Sequence, residues 1–267
     1  GSLALFYQSQ AERPDITATP AGDPVDVAAA GLIPADALIY QAAHMSRAHL
    51  LLDAIDPSVR NELDPDDRER ELDLYDPLNP NRPPYDAAFI EGFRAAQLAR
   101  MHRITRRVKQ TLAELKRRGT GELERPFLVH RTLADPRFLD PTLDPNDRRP
   151  RWCYMGNPET VNSGPVGLAR FTTLRAWLSQ WSIEDTRANG LECAARISAP
   201  LLVIENGADD AVPQPHPRMI FEAAAPADKS FHVIAGATHY YAGQPEQLAQ
   251  ANALVRGWLA ERGMAPY

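Results

Sequence analysis

Residues Pro200-Leu201-Leu202-Val203-Ile204 form a short apolar run rich in branched side chains, and it gives way at once to Glu205-Asn206-Gly207-Ala208-Asp209-Asp210-Ala211-Val212-Pro213. A run of this length that stops in small, acidic and proline residues is a buried strand ending in a turn. Phe231-His232-Val233-Ile234 is a second such strand, running out into the loop Ala235-Gly236-Ala237-Thr238-His239-Tyr240-Tyr241. Between them, Pro217 to Ala225 suits a crossover helix. A strand, helix, strand series predicts parallel pairing in an α/β fold, with chemistry gathered at the carboxyl ends of the strands. Asp209 and His239 both fall just past such ends.

The chain has material for a large core. It has 267 residues, 44% of them hydrophobic and 24% charged, which is enough for a core and a second small domain. No stretch approaches the roughly 18 consecutive apolar residues of a membrane span, so no membrane partner is expected. The net charge of −6 argues against a nucleic-acid partner. Cys153 and Cys193 make neither a disulfide framework nor a metal-ligand pattern, so a reducing, cytoplasmic compartment is the default.

Ala37 to Ala43 reads as a further buried strand ending at His44. From Asp56 to about Ala195 the strand and helix alternation stops. Much of the chain's proline sits between Asp56 and Pro150, which suggests a loop-rich insertion. From about Asp86 to Arg118, Phe89, Phe93, Ala96, Met101, Ile104, Val108, Leu112 and Leu115 recur at helical spacing with basic residues opposite. A later helix is expected over about Val166 to Trp181, with Leu168, Phe171, Leu174, Leu178 and Trp181 near one stripe.

Three segments, Gly1 to Ala11, Pro200 to Pro213 and Val233 to Trp258, resemble the C-terminal half of the α/β-hydrolase family, whose chain order is Ser, then Asp or Glu, then His. In that family the nucleophile sits in a G-x-S-x-G elbow followed by an apolar helix. Gly1-Ser2-Leu3-Ala4-Leu5-Phe6-Tyr7 looks like that continuation, although Gly1-Ser2 alone also matches a cloning scar. Ser2 itself lacks the preceding strand that would strain and expose a nucleophile.

The resemblance implies an α/β-hydrolase fold, a mostly parallel sheet flanked by helices, with a large, mainly helical cap. On that expectation residues 1–55 and 196–267 are hydrolase core and 56–195 are cap. The early strands, the nucleophile and the oxyanion hole are expected upstream of Gly1. They would be supplied by the same polypeptide or by a separate N-terminal fragment acting as partner.

The implied catalytic residues are Asp209 and His239, acting on an ester, thioester or lactone of a mainly apolar small organic substrate. Carbon–carbon bond hydrolysis on the same scaffold and a non-catalytic ligand-binding role are the alternatives. No cofactor and no metal are implied. Homodimerisation through the insertion or the last helix stays open.

Each residue has a plainer reading. Asp209 by itself is a turn acid or helix N-cap, and His239 a loop histidine; their joint placement favours catalysis. Asp210 competes as the acid, and the spacing to Pro213 favours Asp209, leaving Asp210 to cap or face water. His44, Phe171, Trp181 and Tyr240 are candidate substrate contacts, although a strand-end histidine can simply bond a carbonyl and the aromatics Trp152, Tyr154, Phe171, Trp177 and Trp181 are more often core. His44 and His49 are spaced for neither one helical face nor one strand face, so they make no metal site. Asp64, Asp66 and Asp67 lack a calcium loop's glycine and closing glutamate and read as solvated loop acids. The basic run from Arg103 to Arg118 reads as a solvated helix face.

Overall fold

The computed structural model describes residues 1–264. The last three residues of the expected 196–267 unit lie outside the described ones. In chain order come α1 (Ser2–Glu12), β1 (Leu38–Gln41) and α2 (Arg47–Ala54). An antiparallel hairpin comes next, β2 (Val59–Asn61) and β3 (Asp64–Arg68), and then α3 (Ala87–Arg118). After it are β4 (Pro126–Leu128), α4 (Pro158–Ser163), β5 (Phe171–Thr173), α5 (Leu174–Ala176) and α6 (Gly190–Ala194). The chain closes with β6 (Leu201–Asn206), α7 (His216–Ala223), β7 (Lys229–Ile234) and α8 (Pro245–Ala260).

The main sheet has the order β1-β6-β7 and is parallel throughout, with Leu38 opposite Leu201 and Leu201 opposite Lys229. All six residues of the central strand β6 are buried. Side chains alternate across a strand, so β6 feeds two cores. Leu201 and Val203 pack with Leu5 of α1, Leu38 and Tyr40 of β1 and Ile220 of α7. Leu202 and Ile204 pack on the other face with Ile234 of β7 and Ala251 and Trp258 of α8. Helices on both faces explain why this strand is a continuous apolar run rather than an alternating one. The described chain is an α/β fold, a mostly parallel sheet flanked by helices.

The helix expected over 86–118 forms. Asp86 caps it by accepting from Phe89 N at 2.7 Å, and Gly119 ends it with φ of 63°. Met101, Ile104, Val108 and Leu115 bury one stripe against Leu51, Val129, Trp177 and Leu178. The basic face at its end is exposed, with Arg117 and Arg118 pairing to Glu114.

The helix expected over 166–181 does not form as one piece. Phe171 to Thr173 pair antiparallel with Pro126 to Leu128, and helical structure begins only at Leu174, widening into a π-type turn over Trp177 to Trp181. Two adjacent β-branched threonines favour the extended state, and Thr173 caps the helical turn after it by accepting from Ala176 N at 3.4 Å. The segment from 56 to 195 is also less helical than expected. Only α3 is long, and irregular chain and two antiparallel strand pairs make up much of the rest. Asp64, Asp66 and Asp67 sit on β3 rather than in a loop, with exposed Asp67 bonded to Arg60.

Beside its apolar clusters, the interior of this segment carries a buried polar network. Asp56 is fully buried and accepts from Arg131 Nε at 2.7 Å and from Asn162 Nδ2 at 2.9 Å. The same arginine reaches Asp73 at 2.7 Å. Arg100, also fully buried, pairs with Glu62 at 2.7 Å and donates to the carbonyls of Asp56 and His130. Removing one member of a buried pair strands the other without solvent. Arg131→Met is therefore expected to lower unfolding free energy by about 3–5 kcal/mol. Urea denaturation checks this, and a cost below about 1 kcal/mol would mean that Asp56 finds another partner.

Candidate active site

The turn after β6 and the loop after β7 leave the same end of the sheet, because the strands are parallel and adjacent. The first turn is wound around Asp209. Its Oδ1 accepts from Ala211 N at 2.9 Å and Val212 N at 2.7 Å, which fixes the carboxylate in a buried position. His239 Nδ1 lies 3.1 Å from Asp209 Oδ1 and 3.2 Å from Oδ2. A carboxylate only accepts, so the Nδ1–H tautomer is the one that satisfies this contact, leaving Nε2 free. The histidine side chain keeps 19% exposure and lines a cavity of about 730 Å³.

Asp210 has a different task from the one expected. It is buried rather than facing water, and its Oδ1 accepts from the backbone N–H of His239 at 3.1 Å. The two neighbouring aspartates therefore hold the ring and the backbone of one histidine.

The His239 loop is latched by two strand ends and one helix end. Gln41, the last residue of β1, donates to the Tyr241 hydroxyl at 2.8 Å, which donates to Asn206 Oδ1 at 2.6 Å. Asn206, the last residue of β6, donates to Thr238 O at 2.8 Å. Gln244, just before α8, accepts from Thr238 N at 2.8 Å and donates to Gly236 O at 2.7 Å. Gly207 matters for a close approach, since an added Cβ would lie 3.2 Å from Ile234 O and 3.1 Å from Asp147 Oδ2.

The segment from 56 to 195 also touches this turn. Arg148 Nη1 donates to Asp209 O at 2.8 Å, and Tyr154 N donates to Asp210 O at 2.9 Å. Arg137 donates to Gln214 O at 3.0 Å while pairing with Asp53 and Asp135. Tyr154 and Tyr240 flank the His239 ring, with centroids 6.3 Å and 4.6 Å from it.

His44, Phe171, Trp181 and Tyr240 all line the same cavity as His239. Phe171 is 70% exposed and Tyr240 68% exposed, so neither is committed to the core. Trp177, by contrast, is fully buried and donates to Thr105 at 2.9 Å. Trp152 is partly exposed with Arg149 over its ring. Tyr154, Arg148, Gln41, Asn206 and Tyr241 were not singled out from sequence for this site. The polar residues ending the two apolar strands were the available signal for Gln41 and Asn206. No cluster of three or more His, Cys, Asp or Glu side chains suited to a metal ion occurs among the described residues. No helix among them is long and apolar enough to cross a membrane.

No protein-family model matches this chain, and no curated protein is similar to it. Among solved structures, a monoacylglycerol lipase of Paleococcus ferrophilus is similar at 22% identity with a TM-score of 0.30, over 56% of this chain and 51% of that one. The chain thus spans about half the length of that structure.

His44 is held neutral. Burial is the largest cause that pushes its pKa below the usual histidine value, and the nearby His216, Arg47 and His239 act in the same direction. An unfolded histidine titrates near 6.5. The unfolded chain therefore binds the extra proton first as pH falls, and the stability carried by neutral His44, complete above that value, drains away toward the folded pKa. The unfolding midpoint in urea is expected to drop between pH 7 and pH 4, with a shallower drop in His44→Asn. Equal slopes in the two proteins would show that His44 does not carry the effect.

Proposed function

We propose that the chain is the C-terminal part of a serine-type α/β hydrolase that cleaves an ester, thioester or lactone of a mainly apolar small organic molecule. The observation that carries this reading is the bond from His239 Nδ1 to buried Asp209, with the ring's other nitrogen free at a cavity. In such a pair the histidine takes the proton of an attacking hydroxyl, and the carboxylate fixes the tautomer and stabilises the imidazolium. The hydroxyl oxygen bonds to the substrate carbonyl carbon. The proton then passes from His239 to the departing oxygen or sulfur, and water releases the acyl group by the same route.

The nucleophile is assigned to sequence preceding Gly1. Gly1 lines the same cavity as His239, and its carbonyl accepts from the Tyr40 hydroxyl at 3.1 Å. Among the described residues β1 pairs on one side alone, with β6, so its other edge is available for a strand that would deliver the nucleophile and one oxyanion donor. Residues 1–55 and 196–267 are then the hydrolase core, and 56–195 a cap whose Tyr154, Phe171 and Trp181 face the substrate.

Two measurements on the complete polypeptide test this. A fluorophosphonate should label one serine upstream of Gly1, and the labelled peptide should be found by mass spectrometry. His239→Ala should abolish ester turnover with its thermal midpoint nearly unchanged, and Asp209→Asn should lower kcat by about 10⁴-fold. Turnover that survives in His239→Ala would sink the reading.

A further inference from the structure

The cavity has further polar lining besides the acid and histidine turn. Arg170, just before β5, lines it and is only 9% exposed. Its Nη1 donates to Gly164 O, and its Nη2 to Asn162 O at 3.2 Å. Those bonds leave guanidinium donors over, and Nε has no partner among the described residues. The acids of this part of the molecule are already engaged, Asp56 and Asp73 by Arg131 and Glu62 by Arg100 and Arg103. Burial and the like charges of Arg100 and Arg131 all work against the cation.

Thr132 is fully buried, lines the same cavity and has an Oγ1 without a partner among the described residues. Gly167 stands where the two meet. A Cβ added there would lie 2.8 Å from Thr132 Oγ1 and 2.9 Å from Arg170 Nη2, so only glycine lets the chain pass this close to both polar groups. The rest of the lining adds positive charge. Among the described residues Arg47 is bonded only to neutral groups, Gln180 and the face of Trp181. Asp135, an acid in the lining, is taken by Arg94 at 2.9 Å and Arg137 at 2.6 Å.

We propose that Arg170 and Thr132 form a carboxylate-binding subsite in this cavity, so that its ligand is an organic acid with an apolar body. A buried cation without an anion is costly, and a ligand carboxylate entering the cavity replaces the missing partner in a medium that screens poorly. One guanidinium and one hydroxyl suit a planar, singly charged carboxylate; a phosphate dianion calls for more donors. Leu50, Leu133, Val161 and Phe171 supply the apolar lining for the body of the acid. As a statement about substrate this rests on the hydrolase reading, whereas the binding itself does not.

The test is binding to the complete polypeptide by calorimetry, with hexanoate, its neutral isostere hexanamide and inorganic phosphate as probes. Hexanoate should bind at least tenfold more tightly than hexanamide and more tightly than phosphate. That preference should fall to near parity in Arg170→Gln and several-fold in Thr132→Val. The wild-type comparison needs no variant to fold, and a wild type that fails to tell hexanoate from hexanamide overturns the proposal. So does tighter binding of phosphate, or an Arg170→Gln protein that keeps the preference. Failure of the hydrolase reading leaves the hexanoate preference in place, and failure of the subsite leaves ester turnover in place.

Discussion

The burial of β6 on both faces is the constraint on which the rest of the structure depends. A strand covered by α1 and α7 on one side and α8 on the other must satisfy its backbone within the sheet, and β1 and β7 do so on its two edges. Where that cover ends, the chain needs a turn that satisfies its own amides. Asp209 supplies it by accepting from Ala211 and Val212. The same bonds that close the turn therefore orient the acid, and parallel pairing brings the loop of His239 to the same end.

Around this pair the chain adds polar latches to the apolar packing of Ala237 and Tyr241. Gln41, Asn206 and Gln244 each sit at the end of an element and reach into the 236–241 loop. A loop held at several backbone positions keeps its histidine within hydrogen-bond range of the acid without freezing the ring's other nitrogen. The segment from 56 to 195 adds Arg148 and Tyr154 to the turn that carries Asp209 and Asp210. Its own interior adds to its apolar clusters the pairs of Arg131 and Arg100 with their acids, where geometry must be satisfied in full because each buried charge depends on its partner.

The cavity between these parts is lined by two unlike polar groups. One is His239, between Tyr154 and Tyr240. The other is Arg170 with Thr132, whose hydrogen-bonding capacity is partly unmet among the described residues. Apolar side chains such as Leu50, Leu133 and Val161 line the same space.

The sequence by itself determined the elements whose signal is local. The branched apolar run at Leu201 to Ile204, its break at Gly207 to Asp210 and the glycine loop before His239 announce parallel strands with an acid and a histidine at their ends. The helical stripe announces α3. Tertiary structure decided what depends on distant partners. Phe171 to Thr173 became a strand because Pro126 to Leu128, far back along the chain, lies beside them, and helical periodicity cannot report such a pairing. Asp210 was drawn from solvent to the His239 amide, and Arg170 was left buried without an acid, because charge pairing in a folded interior follows proximity in space rather than order along the chain.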